Sequence, residues 1–266
     1  MQKKSHTQDL LNGATMQLRV VGALLLREMQ TSHGRENIGY LWAIIEPLII
    51  LCMFLTIYHY GGRSLHNGMN LVSFLATGIV TFLTLRKMAG NISGATDANK
   101  GLMLHSQVTP LDTMLARVIL QSATYIVLLT VIILGAWLFG VGTLPHDFFG
   151  VMIALAAVSF LGASLGIFQG AIVTIFPLVT YVMRPIWRFM FFTSCVFYAL
   201  HDLPLGLRKL VAYNPIANGI ELLREAYFLG FDTPINGYGY MLKWCLVCIF
   251  TGLLVERLYR HREIET

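Results

Sequence analysis

The sequence predicts an all-α integral membrane protein of six transmembrane helices, with an N-terminal interfacial amphipathic helix and a re-entrant helical hairpin before the last span. Three observations predict it. Hydrophobic residues make up 56% of the 266 residues and charged residues only 12%, about half the charged share of a soluble domain, and the mean hydropathy is +0.65. Apolar runs recur along the chain, and the first, Ile38 to Tyr60, is long enough at ~1.5 Å of helical rise per residue to cross a hydrocarbon core of ~30 Å. Basic residues, finally, gather on one side of the spans. Lys3, Lys4, Arg19, Arg27, Arg35, Arg86, Lys87, Lys100, Arg117, Arg184, Arg188, Arg257, Arg260 and Arg262 fall on or near the side of the N-terminus. Arg63, Arg208, Lys209 and Arg224 fall opposite, with Lys243 just inside the last span. The positive-inside rule then places both termini in the cytoplasm, which an even number of spans requires. The net charge of +5 is thereby read as orientation, with no nucleic-acid partner implied. A single membrane domain, residues 1–266, accounts for the chain.

Residues 13–33 are helix-compatible, but Arg19 and Arg27 interrupt their apolar length. They read as a helix lying in the cytoplasmic interface, arginines toward lipid phosphates and leucines among acyl chains. A plain buried helix is the other reading, because the amphipathic pattern is modest. No removable signal peptide is expected, since Arg27 breaks the patch from Val20 to Leu26 and no clear cleavage site follows. The first span carries Glu46 and Pro47 side by side. The proline removes a backbone donor and is expected to kink the helix, and a carboxylate at that depth must face protein, water or a cation. This helix therefore has to lie against others.

A second run, Met69 to Leu85, ends at Arg86 and Lys87. Residues 88–114 are too polar to cross and read as a cytoplasmic loop containing short helices. The third span is Val118 to Phe139 and the fourth Phe148 to Phe168. Gly162, Gly166 and Gly170 recur at four-residue spacing beside the fourth, leaving one face nearly bare so that a neighbouring backbone can approach. A break at Phe176 and Pro177 precedes the fifth span, Tyr181 to Leu200. Residues 201–237 hold helix-like segments too short to span, among Pro204, Pro215 and Pro234. They suggest a re-entrant hairpin, tolerated only where protein or water covers its turn. Tyr238 to Leu258 is the sixth span and leads into a basic tail.

The chemistry of the chain is bounded by what it lacks. No stretch matches G-x-x-x-x-G-K-[ST], the loop that holds nucleotide phosphates, so the chain is not expected to hydrolyse ATP. Cys52, Cys195, Cys245 and Cys248 all lie in apolar stretches; the C-x-x-C at 245–248 reads as two small apolar residues one turn apart, and no disulfide framework is implied. The eight histidines are dispersed, with no zinc-ligand spacing and no nucleophile–base pair. A membrane enzyme that transfers sugars to lipid carriers needs clustered acids or histidines, which the scattered Asp97, Asp112, Asp147 and Asp202 do not supply. A passive channel or ion-coupled transporter is expected to show internal repeats or several intramembrane charges, and no convincing repeat is present.

Three stretches carry a family resemblance. The first is Leu26-Arg27-Glu28 followed by Gly34-Arg35-Glu36-Asn37-Ile38-Gly39-Tyr40-Leu41-Trp42 and Glu46-Pro47; the second is Asn99 to Arg117; the third is Asn214-Pro215-Ile216 with Glu221 to Tyr227. Together they resemble the permease subunits of ATP-binding-cassette capsular polysaccharide exporters, whose fold is that of type-2 exporter permeases. The resemblance covers roughly Leu26 to Tyr259. It implies a homodimer with a pore at its interface, in the bacterial inner membrane, moving a lipid-linked polysaccharide. It also implies one ATPase subunit below each permease, holding ATP and magnesium that this chain does not bind, and periplasmic and outer-membrane export partners. Export of O-antigen, teichoic acid or another lipid-linked glycan is the alternative within the class.

Candidate residues follow from both sources. In the family a short helix of the cytoplasmic loop docks in a groove of the ATPase, which implies Asn99, Lys100, Gln107, Pro110 and Asp112 near that contact, together with Arg35 and Glu36. An ordinary solvated loop is what composition alone suggests. The fifth span interleaves cations and rings, Tyr181, Arg184, Trp187, Arg188, Phe191 and Tyr198. Aromatic faces stack on sugars and guanidinium groups fork onto carboxylates and phosphates, so this face reads either as a translocation wall or as an aromatic belt with basic anchors. Trp42 and Glu46 join the same candidate path, Glu46 alternatively as the ion-pair partner of an arginine on another helix. Asn214, Pro215, Glu221 and Arg224 are the candidates for an outer gate, with Glu221 and Arg224 placed to pair on one helical face.

Overall fold

The computed structural model describes residues 16–17, 19–29, 38–61, 69–98 and 110–265, and every regular element among them is helical. In chain order these are α1 (residues 19–29), α2 (Ile38–Tyr60), α3 (Leu71–Ser93), α4 (Ala95–Ala98), α5 (Pro110–Leu138), α6 (Phe148–Ile175) and α7 (Val179–Thr193), then α8 (Leu205–Ala212), α9 (Pro215–Tyr227) and α10 (Gly237–Glu265). A 3-10 turn at Leu200–Asp202 precedes α8. Among the described residues, four helical segments are long and apolar enough to cross a membrane: Leu71–Ser93, Asp112–Leu138, Phe148–Ile175 and Gly237–Val255.

α3 is the axis of the bundle. Of its apolar window 78% is buried, against 33% for α5 and 22% for α10, so α3 is surrounded by protein while the others keep broad faces outward. Asn70 starts it, its side chain accepting from Ser73 N at 3.0 Å, a cap that satisfies one of the orphan donors of the first turn. The helix does not stop at Leu85, where its hydropathy falls, but runs two turns further. Met88, Ala89 and Ile92 are buried there, against the glycine face of α6. A Cβ on Gly166 would lie 2.7 Å from the Ile92 Cβ, and one on Gly170 would lie 3.2 Å from the Ser93 Cα. Bare backbone thus admits close approach, and contacts across that face stabilise helical turns that polar residues disguise in the sequence.

The other helices also differ at their ends from expectation. α5 begins at Pro110, ahead of the expected Val118, with proline at its first position and Asp112 in its first turn, both favourable at a helix N-terminus. Residues 88–93 and 110–114 of the expected loop are therefore helical, and α4 is one of its short helices. α2 occupies Ile38–Tyr60 as expected and runs unbroken through Pro47. α7 departs most. It ends at Thr193 rather than Leu200, and at ~1.5 Å per residue its 15 residues cover only ~22 Å. Residues 194–199 leave the helix, with Cys195 at φ 57° and Ser194, Val196, Phe197 and Ala199 buried.

α8 and α9 form a helical pair between α7 and α10. Asn214 caps α9, accepting from Ile216 N at 2.9 Å, with Pro215 in the first helical position. Buried Asn218 closes the turn by donating to the Ala212 and Asn214 carbonyls at 2.7 and 2.9 Å. α9 is buried on most of its length against α6, α3 and α10, whereas α8 has no buried residue.

Candidate functional site

Two charged constellations stand at opposite ends of α3. At the end that leads into α4, Lys87 Nζ lies 2.7 Å from Glu46 Oε2, joining α3 to α2. Glu46 is thus in an ion pair, with a lysine and not the expected arginine. One turn on, the Asn91 carbonyl accepts from Arg117 Nη1 of α5, and Arg117 Nε lies 2.7 Å from Glu28 Oε1 of α1. Gln17 Nε2 donates to Asp112 Oδ1 at 3.1 Å, while Val21 and Leu24 cover Ala116. Part of the apolar face of α1 therefore rests on α5 and not among lipids. Asp112, a candidate for ATPase contact, is only 2% exposed and lies under this attachment. Arg35, Glu36, Asn99, Lys100 and Gln107 lie outside the described residues, as do the side chains of Trp42 and Pro110.

The cation-and-ring face of α7 divides. Trp187 packs edge-on to Phe82 at 5.9 Å and Phe191 lies 5.1 Å from the same ring; Phe191 also meets Phe197, itself stacked on Phe54 at 3.8 Å. These two rings, half-buried, pack against the core. Tyr198 is half-buried and donates from its hydroxyl to the Phe192 carbonyl at 3.0 Å. Tyr181, Arg184 and Arg188 stay exposed, with the Arg184 guanidinium 5.7 Å from the Tyr181 ring centre. Behind α7, a cleft of about 260 Å³ is walled by Leu165 and Phe168 of α6, Met183, Trp187 and Met190 of α7, and Trp244 of α10.

At the other end of α3 the candidates Glu221 and Arg224 form a fully buried ion pair, Nη1 to Oε1 3.1 Å, with neither side chain exposed. Their spacing of one helical turn and the burial of α9 put both inside. The two terminal nitrogens of Arg224 and Oε2 of Glu221 have further partners, whereas the buried Arg224 Nε has none among the described residues. Arg224 Nη1 donates to the carbonyls of Cys195 at 2.6 Å and Tyr198 at 3.2 Å, and Nη2 to those of Val196 at 2.8 Å and Phe74 at 3.2 Å. Its guanidinium carbon sits 3.6 Å from the Phe74 ring centre. Glu221 Oε2 accepts from the Thr233 hydroxyl at 2.7 Å and from Leu200 N at 3.3 Å. Asn214 donates to Ser194 Oγ at 2.8 Å, so three of the four gate candidates, Asn214, Glu221 and Arg224, brace residues 194–200, while Pro215 serves as the first residue of α9. Exposed Glu225, on α9 and outside the spanning helices, has its carboxyl pushed up by partial burial and by the carboxylates of Asp232 and Glu221.

Gly78 and Arg117 are the important residues that sequence reasoning did not single out. A Cβ at Gly78 would lie 2.4 Å from the Val196 carbonyl oxygen and 2.6 Å from Arg224 Nη2, so only glycine leaves room for this node. A lone glycine in an apolar run carried no sign of that. Arg117 counted only toward orientation, although its place within the second quoted stretch was a usable signal. Among the described residues, no group of three or more His, Cys, Asp or Glu could hold a metal.

Comparison with known proteins extends over most of the chain. The family model described as ABC-2 type transporter matches residues 19–228. The chain is 30% identical over 252 residues to the polysialic acid transport protein KpsM of Escherichia coli, covering 95% of this chain and 96% of that one. It is 30% identical over 260 residues to the capsule polysaccharide export inner-membrane protein CtrC of Neisseria meningitidis serogroup A, again 95% and 96%. To the O-antigen export system permease protein RfbA of Klebsiella pneumoniae it is 23% identical over 247 residues, covering 90% and 92%.

Proposed function

Because the chain belongs to the ABC-2 type transporter family, we propose that it is the membrane-spanning subunit of an ATP-driven exporter that carries lipid-linked capsular polysaccharide across the bacterial inner membrane. The observation that carries this reading is the likeness to CtrC and KpsM along 95% of the chain. It is a transport permease, not an enzyme; ATP and magnesium are held by a separate ATPase subunit. That subunit presses on the cytoplasmic segment between α3 and α5, and both termini lie on that side. α2 and α7 complete six crossings with the four long helices, and the α8–α9 pair dips in from the periplasmic face.

Two copies of the chain work together. Supporting this is the exposure of apolar side chains on α7, where Ile186, Phe189 and Phe192 are 40%, 64% and 60% exposed and no residue is buried, with Ile49, Met53 and Ile57 of α2 likewise outward. The exposed Tyr181, Arg184 and Arg188 are the members of the candidate path left to meet an anionic glycan or its lipid linker. Periplasmic and outer-membrane export proteins receive the polymer. Likeness to RfbA favours a second reading, export of O-antigen or a related glycan, at lower identity.

Reconstitution into vesicles with the partner ATPase and a defined lipid-linked capsular glycan tests the proposal. ATP-dependent glycan movement that requires both subunits is expected. Movement without the ATPase, or of O-antigen in preference to capsular glycan, would replace this reading by a passive or an O-antigen one.

A further inference from the structure

α3 is gripped at both ends by groups that belong to different parts of the molecule. At its cytoplasmic end Lys87 is tied to Glu46, the Asn91 carbonyl to Arg117 and through it to Glu28 of α1, and Met88, Ile92 and Ser93 to the glycine face of α6. At the other end the Phe74 carbonyl and ring and the bare backbone of Gly78 hold Arg224. Between Gly78 and Ser93, helix at ~1.5 Å per residue gives ~22 Å of rod with its backbone bonds satisfied internally. Such an element transmits axial and rotational displacement because bending it breaks its own hydrogen-bond ladder.

Arg224 does not bond to α3 alone. The same guanidinium takes the carbonyls of Cys195, Val196 and Tyr198, the stretch where the chain leaves α7. Cys195 stands at φ 57°, in the left-handed region that a residue with a Cβ occupies only when its surroundings hold it there. Its carbonyl bond from Arg224, 2.6 Å long, is one such hold. The Phe74, Val196 and Cys195 carbonyls share one planar fork, so α3 cannot shift by an ångström or two without breaking bonds to residues 195–198 or dragging those residues along.

We infer that Arg224 is a positioning residue that couples displacement of α3, driven from its cytoplasmic end, to the outer segment 194–199. This rests on the exporter reading above, since it needs a motor at the other end of the rod. When α3 moves, the fork releases or carries the carbonyls, and Cys195, which is fully buried in the present state, becomes reachable. The buried thiol is inert while shielded, so its own modification reports the motion.

The test uses the full complex of permease and ATPase in vesicles, N-ethylmaleimide as probe, and peptide mass spectrometry to read Cys195 separately from the other cysteines. With ATP turning over, Cys195 modification in the unaltered complex is expected to rise at least about fivefold over the nucleotide-free complex, a common size for coupling between distant sites. In Arg224→Lys, which keeps the charge and loses the fork, the complex is expected to hydrolyse ATP while the nucleotide dependence of Cys195 modification and glycan transport are both lost. Phe74→Leu, which removes the ring and keeps the carbonyl, is expected to weaken both and serves where Arg224→Lys does not assemble. The inference is overturned if Cys195 modification is unchanged by ATP in a complex that transports, or if both variants transport with the nucleotide dependence intact. A wild-type complex with no ATP-dependent transport overturns the exporter reading itself, and this inference with it.

Discussion

A full positive charge at Arg224 and a full negative charge at Glu221 stand in the interior with no exposure, and the cost of dehydrating them is offset by geometry. Arg224 makes four bonds to backbone carbonyls besides its carboxylate partner. Truncating one member strands the other. Arg224→Met and Glu221→Gln are each expected to destabilise by about 3–5 kcal/mol, and the double substitution by less than their sum; thermal melting of the detergent-solubilised protein measures both. The Lys87–Glu46 pair differs because it is partly open, at 37% and 27% exposure. Exposed pairs are worth about 0–1 kcal/mol, so Lys87→Ala is expected to change melting little. If Glu46 acts through this pair, exchanging the charges with Glu46→Lys and Lys87→Glu preserves transport; loss of transport in the exchanged protein would assign the carboxylate to the substrate instead.

At the scale of elements, the contact of α3 with α6 decides where α3 ends. Gly166 abuts the Ile92 side chain so closely that an added Cβ falls 2.7 Å from it, and overpacking of this kind costs about 1–3 kcal/mol. Gly135 of α5 has nothing within 4 Å of an added Cβ. Gly166→Ala is therefore expected to lower the melting temperature and loosen the last turns of α3, while Gly135→Ala leaves it unchanged or raises it slightly through helix propensity, by about 1 kcal/mol at most. Hydrogen exchange at residues 88–93 reads the first effect directly. Equal behaviour of the two variants would remove the glycine face from the account of α3.

For the whole molecule, orientation is the proposition on which the motor depends. The segment between α3 and α5 must lie on the cytoplasmic side together with α1, to which α5 is tied by Glu28–Arg117 and Gln17–Asp112. A cysteine placed at Lys100 is expected to react with an impermeant maleimide only in inside-out vesicles. Reaction from the outer side of intact cells would leave the ATPase nothing to press on. The same contacts tie α1 to the start of α5, next to the segment proposed to take the push of the ATPase, so Arg117→Gln is expected to lower transport per ATP hydrolysed while leaving hydrolysis itself, measured on the reconstituted complex.

Much of the fold was legible in the sequence because hydropathy and charge placement are local quantities. The long apolar helices, the glycine face of α6 and the short helices before the last long one are all written in runs of neighbouring residues. The pairing of Glu221 with Arg224 was legible too, since one helical turn separates them. Helix ends were not, because the last turns of α3 and the early stop of α7 depend on which side chains arrive from distant parts of the chain. Nor could spacing reveal that Trp187 and Phe191 turn into the core while Arg184 and Arg188 stay outside. The sequence by itself determined a multi-pass helical permease and its family. Only the tertiary structure decided that α3 is its axis, with Arg117 joined to one end and Arg224 to the other, because burial and hydrogen bonding between residues far apart in the chain exist only once the helices have met.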